Sequence, residues 1–191
     1  MVDPESKSGR TLPCLTGSLS GDYRISIASG ATIELKDVTI GPTLTSDMPG
    51  ITCNGDATII VYGDNYVAGH GDQYPGIYVP KGHTLKIVGP GKLTAVGGGA
   101  YGVGIGSCGP KKERGGSVEI LSGDITAIGG KYASALGGNF NVSTEDNLEW
   151  EFHADTVRIK GGTVHTKGGV YSDIPPPSGD VGFSGKVSIP G

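Results

Sequence analysis

The chain has 191 residues and a formal charge of -4 at pH 7, which excludes the dense Lys/Arg surface that phosphate-backbone binding rests on, so nucleic acid is not an expected partner. Glycine makes up 36 of the 191 residues, far above the usual share of about 7%, without the triplet period of collagen. No apolar run approaches the roughly 18 residues of a membrane span, and the three cysteines, Cys14, Cys53 and Cys108, have neither CxxC spacing nor the even number of a disulfide framework.

Short runs rich in Ile, Val and Leu, bounded by Gly, Asp, Asn, Ser or Pro, predict strands joined by tight turns, and no amphipathic helix is expected. In chain order one strand type recurs. It is centred on Ile33, Ile59, Leu85, Val118, Val157 and Val187, at steps of 26, 26, 33, 39 and 30 residues. A second strand precedes it: Ile25 to Ile33, Ile51 to Ile59 and Ile77 to Leu85 are each 8 residues apart, across Ser29-Gly30, Gly55-Asp56 and Lys81-Gly82. A third follows, beginning at Leu93, Ile125 and Val164 and ending in the Gly97-Gly98, Gly129-Gly130 and Gly168-Gly169 corners.

A period of this size predicts an all-β fold, a right-handed parallel β-helix (solenoid) of about six coils with three short strands per coil. Coils stacked about 4.8 Å apart would share one Ile/Val/Leu core. Ala95 and Ala127 are expected at a tight inward position, and Cys53, aligned with Ile27 and Val79, as a buried thiol. Cys108 lies two coils on, too far for a bond to Cys53. No polar linker divides the chain, so residues 1-191 form a single domain with loop insertions at about 107-117 and 139-155. Met1-Val2-Asp3-Pro4 opens no signal peptide, and Gly191 falls just past a core strand. These ends predict a segment of a longer chain whose uncapped end could self-associate.

Solenoids carry function on the loops that break their repeat. The first insertion is basic, with Lys111, Lys112 and Arg114; the second is acidic and aromatic, with Glu145, Asp146, Glu149, Trp150, Glu151, Phe152 and His153. Adjacent coils put both on one edge, where they either cover each other or build a ligand site from Trp150, Lys112 and Arg114. The other feature is a column of tyrosines: Tyr101, Tyr132 and Tyr171 follow the Gly-Gly corners, and Tyr74 takes a comparable place one coil earlier. Such a ladder is either pure structure, with ring stacking of about 0.5 to 1.5 kcal/mol per pair, or a row of ring faces and hydroxyl tips suited to sugars. Asp72, Gln73, His70 and Asp173 lie alongside as hydrogen-bonding groups.

Catalysis is less well served. A lyase needs a base with neutralisation of a uronate, and His70, His83, Lys81 and Lys112 fall on different coils and corners with no acidic cluster beside them. Paired carboxylates for glycoside hydrolysis must converge at about 5 to 9.5 Å, and no matched outward pair is visible. Thr94 and Thr126 align, but His165 and Ala68 interrupt the regular threonine array that ice binding would want.

The runs KLTAVGGGAYGVGIGS and DITAIGGKYASALGG resemble the repeats of pectate-lyase-like β-helix surface proteins of anaerobic bacteria, of the type described as carbohydrate-binding domain proteins. The likeness covers roughly residues 50 to 170. It implies an extracellular or bacterial cell-surface protein that contacts polysaccharide or cell-surface glycan without necessarily cleaving it. No cofactor is expected, with calcium as the alternative that the resemblance implies; the calcium ligands of some such proteins have no identifiable counterparts here. The expected function is a non-catalytic polysaccharide-binding or adhesive module. The alternatives are a structural segment of a fibre, adhesin or phage tail-spike assembly, and a polysaccharide lyase or glycoside hydrolase.

Overall fold

The computed structural model describes residues 12–19, 21–23, 25–41, 45–107, 115–138, 154–168 and 185–188, and within them the chain is all-β with no helix. β1 (Cys14–Leu19), β2 (Ile25–Ile27) and β3 (Ala31–Ile40) come first. Four repeats of three strands follow: β4 (Ile51–Cys53), β5 (Ala57–Tyr62) and β6 (Asp64–Ala68); β7 (Ile77–Tyr78), β8 (Thr84–Val88) and β9 (Lys92–Val96); β10 (Ile105–Gly106), β11 (Ser117–Ile120) and β12 (Asp124–Ile128); β13 (Leu136–Gly137), β14 (Ala154–Ile159) and β15 (Thr163–Lys167). β16 (Gly185–Ser188) pairs with β14.

Every ladder between these strands is parallel. The large sheet runs β15-β12-β9-β6-β3-β5-β8-β11-β14-β16, with β1 on β3, and a five-stranded sheet runs β13-β10-β7-β4-β2. The large sheet curls at β3, whose first part pairs with β5 and whose last two residues pair with β6. Asp37 makes that bend at a φ of 53°, a left-handed backbone that aspartate tolerates better than most residues. Its carboxylate accepts the Asp64 N–H at 3.0 Å, tying the bend to the next repeat.

Side chains alternate across each strand, so one set from every strand turns inward and shares a core. Ile33, Ile59, Ile87, Ile120 and Ile159 form one inward row, and Leu85, Val118 and Val157 belong to the next. Ile59, Leu85, Ile87 and Ile120 are fully buried, each worth about 1.5 to 3 kcal/mol of apolar burial. Val67, Ala95 and Ala127 form a row of small side chains, all fully buried, as expected for a tight inward position. Cys53 lies beside Ile27 as a free, buried thiol, and burial pushes its pKa up to about 12.

The structure corrects the expected register at the third repeat. Ile59 pairs with Ile87, not with Leu85, and Leu85 pairs with Ala57. Ile25, Ile51 and Ile77 do align as expected. The corner through Lys81-Gly82 is therefore two residues longer than its predecessors, with Gly82 at a φ of 77°. A slip of two keeps the same residues facing inward, which is why alternation alone does not reveal it.

β1 is an element the sequence reading lacked. It adds to β3 with a register shift between Thr16 and Gly17, and Leu15 and Leu19 pack half-buried against the core. Gly17 breaks what would otherwise be a visible apolar alternation at residues 15, 17 and 19.

Asn65 stands inward in a row whose next members are Leu93 and Ile125, and it is 4% exposed. It is satisfied there: its Oδ1 accepts the Val38 N–H at 3.1 Å, and its Nδ2 donates to the carbonyls of Tyr62 and Lys92, each at 2.9 Å. Asn65→Leu would extend the apolar row but strand those three backbone groups. We expect it to destabilise by about 1 to 3 kcal/mol. Urea unfolding would check this; a variant as stable as the parent would mean that the bonds add nothing.

Candidate functional site

The strongest local aromatic feature sits where the chain turns from β9 to β10 and from β12 to β13. These corners are backbone packed on backbone: a Cβ on Gly98 would fall on the Gly71 carbonyl oxygen, and one on Gly130 on that of Gly99. The Tyr101 N–H donates to the Asp72 carbonyl at 2.7 Å and the Tyr132 N–H to the Ala100 carbonyl at 2.6 Å. With Ile77, Ile105 and Leu136 in register, this places Gln73, Tyr101 and Tyr132 in one column. The Tyr101 and Tyr132 ring centroids are 5.0 Å apart with planes tilted by 32°, close to the interstrand spacing. Both residues are half-buried. Lys131, absent from the sequence-level site, puts its Nζ 4.8 Å from the Tyr132 ring centroid, a cation–π contact of about 0.5 to 1 kcal/mol on an exposed surface.

The other expected site residues divide. Tyr74 stands one place past the column, and its carbonyl accepts the Gly98 N–H at 2.8 Å. Asp72 uses its carboxylate on the Ala100 N–H at 2.8 Å and so holds the next corner. His70 exchanges backbone hydrogen bonds with Met48 and points its Nδ1 toward Asp47 Oδ1, 3.7 Å away. Tyr171, Trp150, Lys112 and Arg114 lie outside the described residues, as do Cys108 and most of both insertions. The described ends of the insertions do meet on one edge: the Asp155 N–H donates to the Gly115 carbonyl at 3.1 Å, and the Asp155 carboxylate accepts the Gly82 N–H at 3.1 Å.

A second surface, also missing from the sequence-level site, is a polar groove of about 350 Å³ on the outer side of the β3, β5, β8 and β11 arm. Asp56, Lys86 and Glu119 supply its charges, with Thr58 and Thr84 beside them. Asp56 accepts the Thr84 N–H at 2.8 Å and lies 3.4 Å from His83 Nδ1; the first of these contacts chiefly holds its carboxyl below the usual range. Glu119 is buried, which by itself raises its pKa, but Lys160 Nζ and Arg158 Nη1, each 3.3 Å from its Oε1, outweigh that and leave it lowered. Both carboxylates are therefore ionised at neutral pH. Among the described residues no group of three or more His, Cys, Asp or Glu side chains could hold a metal ion, and no helix is long and apolar enough to cross a membrane.

Compared with protein-family models, with curated proteins and with solved structures, the chain matches none.

Proposed function

We propose that the curled parallel sheet and the five-stranded sheet are the walls of one right-handed parallel β-helix, and that this solenoid is a non-catalytic, extracellular module that holds polysaccharide along its tyrosine corner. The helical reading is supported by the pairing pattern: each strand pairs with its counterpart one repeat away, which is the nearest-neighbour contact of a solenoid. The binding reading is carried by the Tyr101–Tyr132 pair, two half-buried rings in register, 5.0 Å apart, with a lysine over the second. Half-exposed Val96 and Ile128 end the strands that lead into the same corners. Rings, hydroxyl tips, an ammonium and apolar side chains thus recur along the axis at the strand spacing, and an extended sugar chain has a comparable mix of apolar faces and hydroxyls.

The groove chemistry favours binding over hydrolysis. A glycosidase needs one carboxyl held protonated as the general acid, whereas Asp56 and Glu119 are both held below the usual range. Neither has a proton to donate at neutral pH.

Affinity for an array of immobilised polysaccharides tests the reading. Tyr101→Ala and Tyr132→Ala should each weaken the best ligand about tenfold, with the circular dichroism spectrum unchanged. If no glycan binds while sedimentation shows concentration-dependent assembly, the module is instead a structural segment of a fibre. Unsaturated uronate absorbance near ~235 nm on incubation with polyuronates would point to a lyase.

A further inference from the structure

Asn54-Gly55 is the single Asn-Gly pair in the 191 residues, and it lies in the bend between β4 and β5, next to Ala28-Ser29 of the preceding repeat. The backbone around it is held on both sides. The Asn54 N–H donates to the Ile27 carbonyl at 2.9 Å, the Asp56 carbonyl accepts the Gly30 N–H at 2.6 Å, and the Asp56 carboxylate accepts the Thr84 N–H at 2.8 Å. The Asn54 side-chain amide and the Gly55 N–H are the exceptions: neither makes a hydrogen bond among the described residues. Asn65 is the contrast, buried with both ends of its amide committed to backbone groups and followed by Tyr66.

Those two free groups are the reactants of a cyclic imide. A backbone nitrogen reaches the Cγ of the preceding asparagine most readily when its own residue lacks a Cβ, because a side chain there crowds the forming ring. Hydrogen bonds to either group would have to be given up first. Asn54 is exposed, and Gly55 is covered by Ser29, which fills the place where a Cβ on Gly55 would stand and is itself exposed. The pair is therefore both unbonded and near solvent.

We propose that Asn54 is a site of spontaneous deamidation in the folded protein. Hydroxide from solvent takes the Gly55 N–H proton, the nitrogen bonds to Asn54 Cγ, and Nδ2 leaves as ammonia. Water then opens the ring at either carbonyl, giving aspartate or isoaspartate, so that one water is consumed and one ammonia released. The aspartate product sets a new carboxylate two residues from that of Asp56. The isoaspartate product also lengthens the backbone by one carbon where the corner stacks on Ser29, between the bond to Ile27 and the bonds of Asp56 to Gly30 and Thr84. Deamidation thus loosens the joint between β3, β5 and β8, whatever the protein binds.

Peptide mapping by mass spectrometry tests this on the whole folded chain, held in mildly alkaline buffer and sampled over time. Asn54 should convert at least about tenfold faster than Asn65, whose amide must be freed by local opening before it can react. The converted fraction should unfold at lower urea concentration than fresh protein. Asn54→Ser, which cannot form the ring, should keep its unfolding midpoint through the same incubation. Urea added below the unfolding transition separates the two routes: a reaction in the folded state keeps its rate within about twofold, whereas one that passes through global unfolding accelerates with the unfolded fraction. Asn54 left intact in the folded chain under conditions that convert it in the urea-unfolded chain would overturn the proposal. So would a rate that climbs with sub-denaturing urea, or a converted fraction as stable as fresh protein.

Discussion

Replacing Gly106 with alanine is expected to abolish folding, or to lower stability by on the order of 4 kcal/mol or more, which is a large part of what a domain of this size has to spare. Gly106 lies in β10 at a φ of 149°, and a Cβ there would fall on the carbonyl oxygen of Gly137, its partner on β13. Two costs combine. An L-residue is strained at that backbone angle, and the five-stranded sheet cannot open locally to relieve the overlap without giving up ladder hydrogen bonds on both sides. Tyr78 holds the equivalent place on β7, so a side chain is tolerated one repeat earlier; the demand for glycine belongs to the backbone angle at β10 and to the neighbour at β13. Chemical denaturation of Gly106→Ala beside the parent is the measurement. A Gly106→Ala protein within about 1 kcal/mol of the parent would show that the carbonyl of Gly137 is not where the structure puts it.

Ile87→Ala should cost about 2 to 5 kcal/mol, because Ile87 is fully buried and faces Ile59 on one side and Ile120 on the other. A double-mutant cycle gives the sharper result. Ile59 and Ile87 are direct partners, so their truncations should be non-additive by about 0.5 to 3 kcal/mol, whereas Ile59 and Leu85, offset along the strands, should couple more weakly. Stronger coupling of Ile59 to Leu85 would restore the register expected from the 8-residue spacing and shift every outward row beyond it. The groove depends on this result: Lys86 stands opposite Thr58 only in the register that pairs Ile59 with Ile87.

The site was less legible than the strands. Tyr101 and Tyr132 could be found in the sequence because each follows a Gly-Gly corner closely, and that local arrangement carries into three dimensions. Tyr74 takes a comparable place in the sequence one repeat earlier without a Gly-Gly pair before it, and in the structure Gln73 takes the place in the column. Asp72 had the composition of a binding residue and spends its carboxylate on a backbone N–H of the next repeat. Asp56 does the same at Thr84, as does Asp37 at Asp64. Aspartates at these corners therefore cap the following repeat, an assignment no composition argument could supply. Glu119 and Arg158 are 39 residues apart, and they are neighbours because Val118 and Val157 pair, an equivalence the repeat itself already gave.

The sequence by itself determined that the chain is all-β, which residues turn inward, and where it must turn sharply, since strand alternation and glycine corners are written in residues close together along the chain. Tertiary structure alone decided that Ile59 stacks on Ile87 and not on Leu85, that Asn65 can sit among Leu93 and Ile125, and that Glu119 is shared by Arg158 and Lys160. These depend on corner lengths and cross-strand neighbours tens of residues away. A two-residue slip leaves the inward pattern unchanged while exchanging every partner across the sheet.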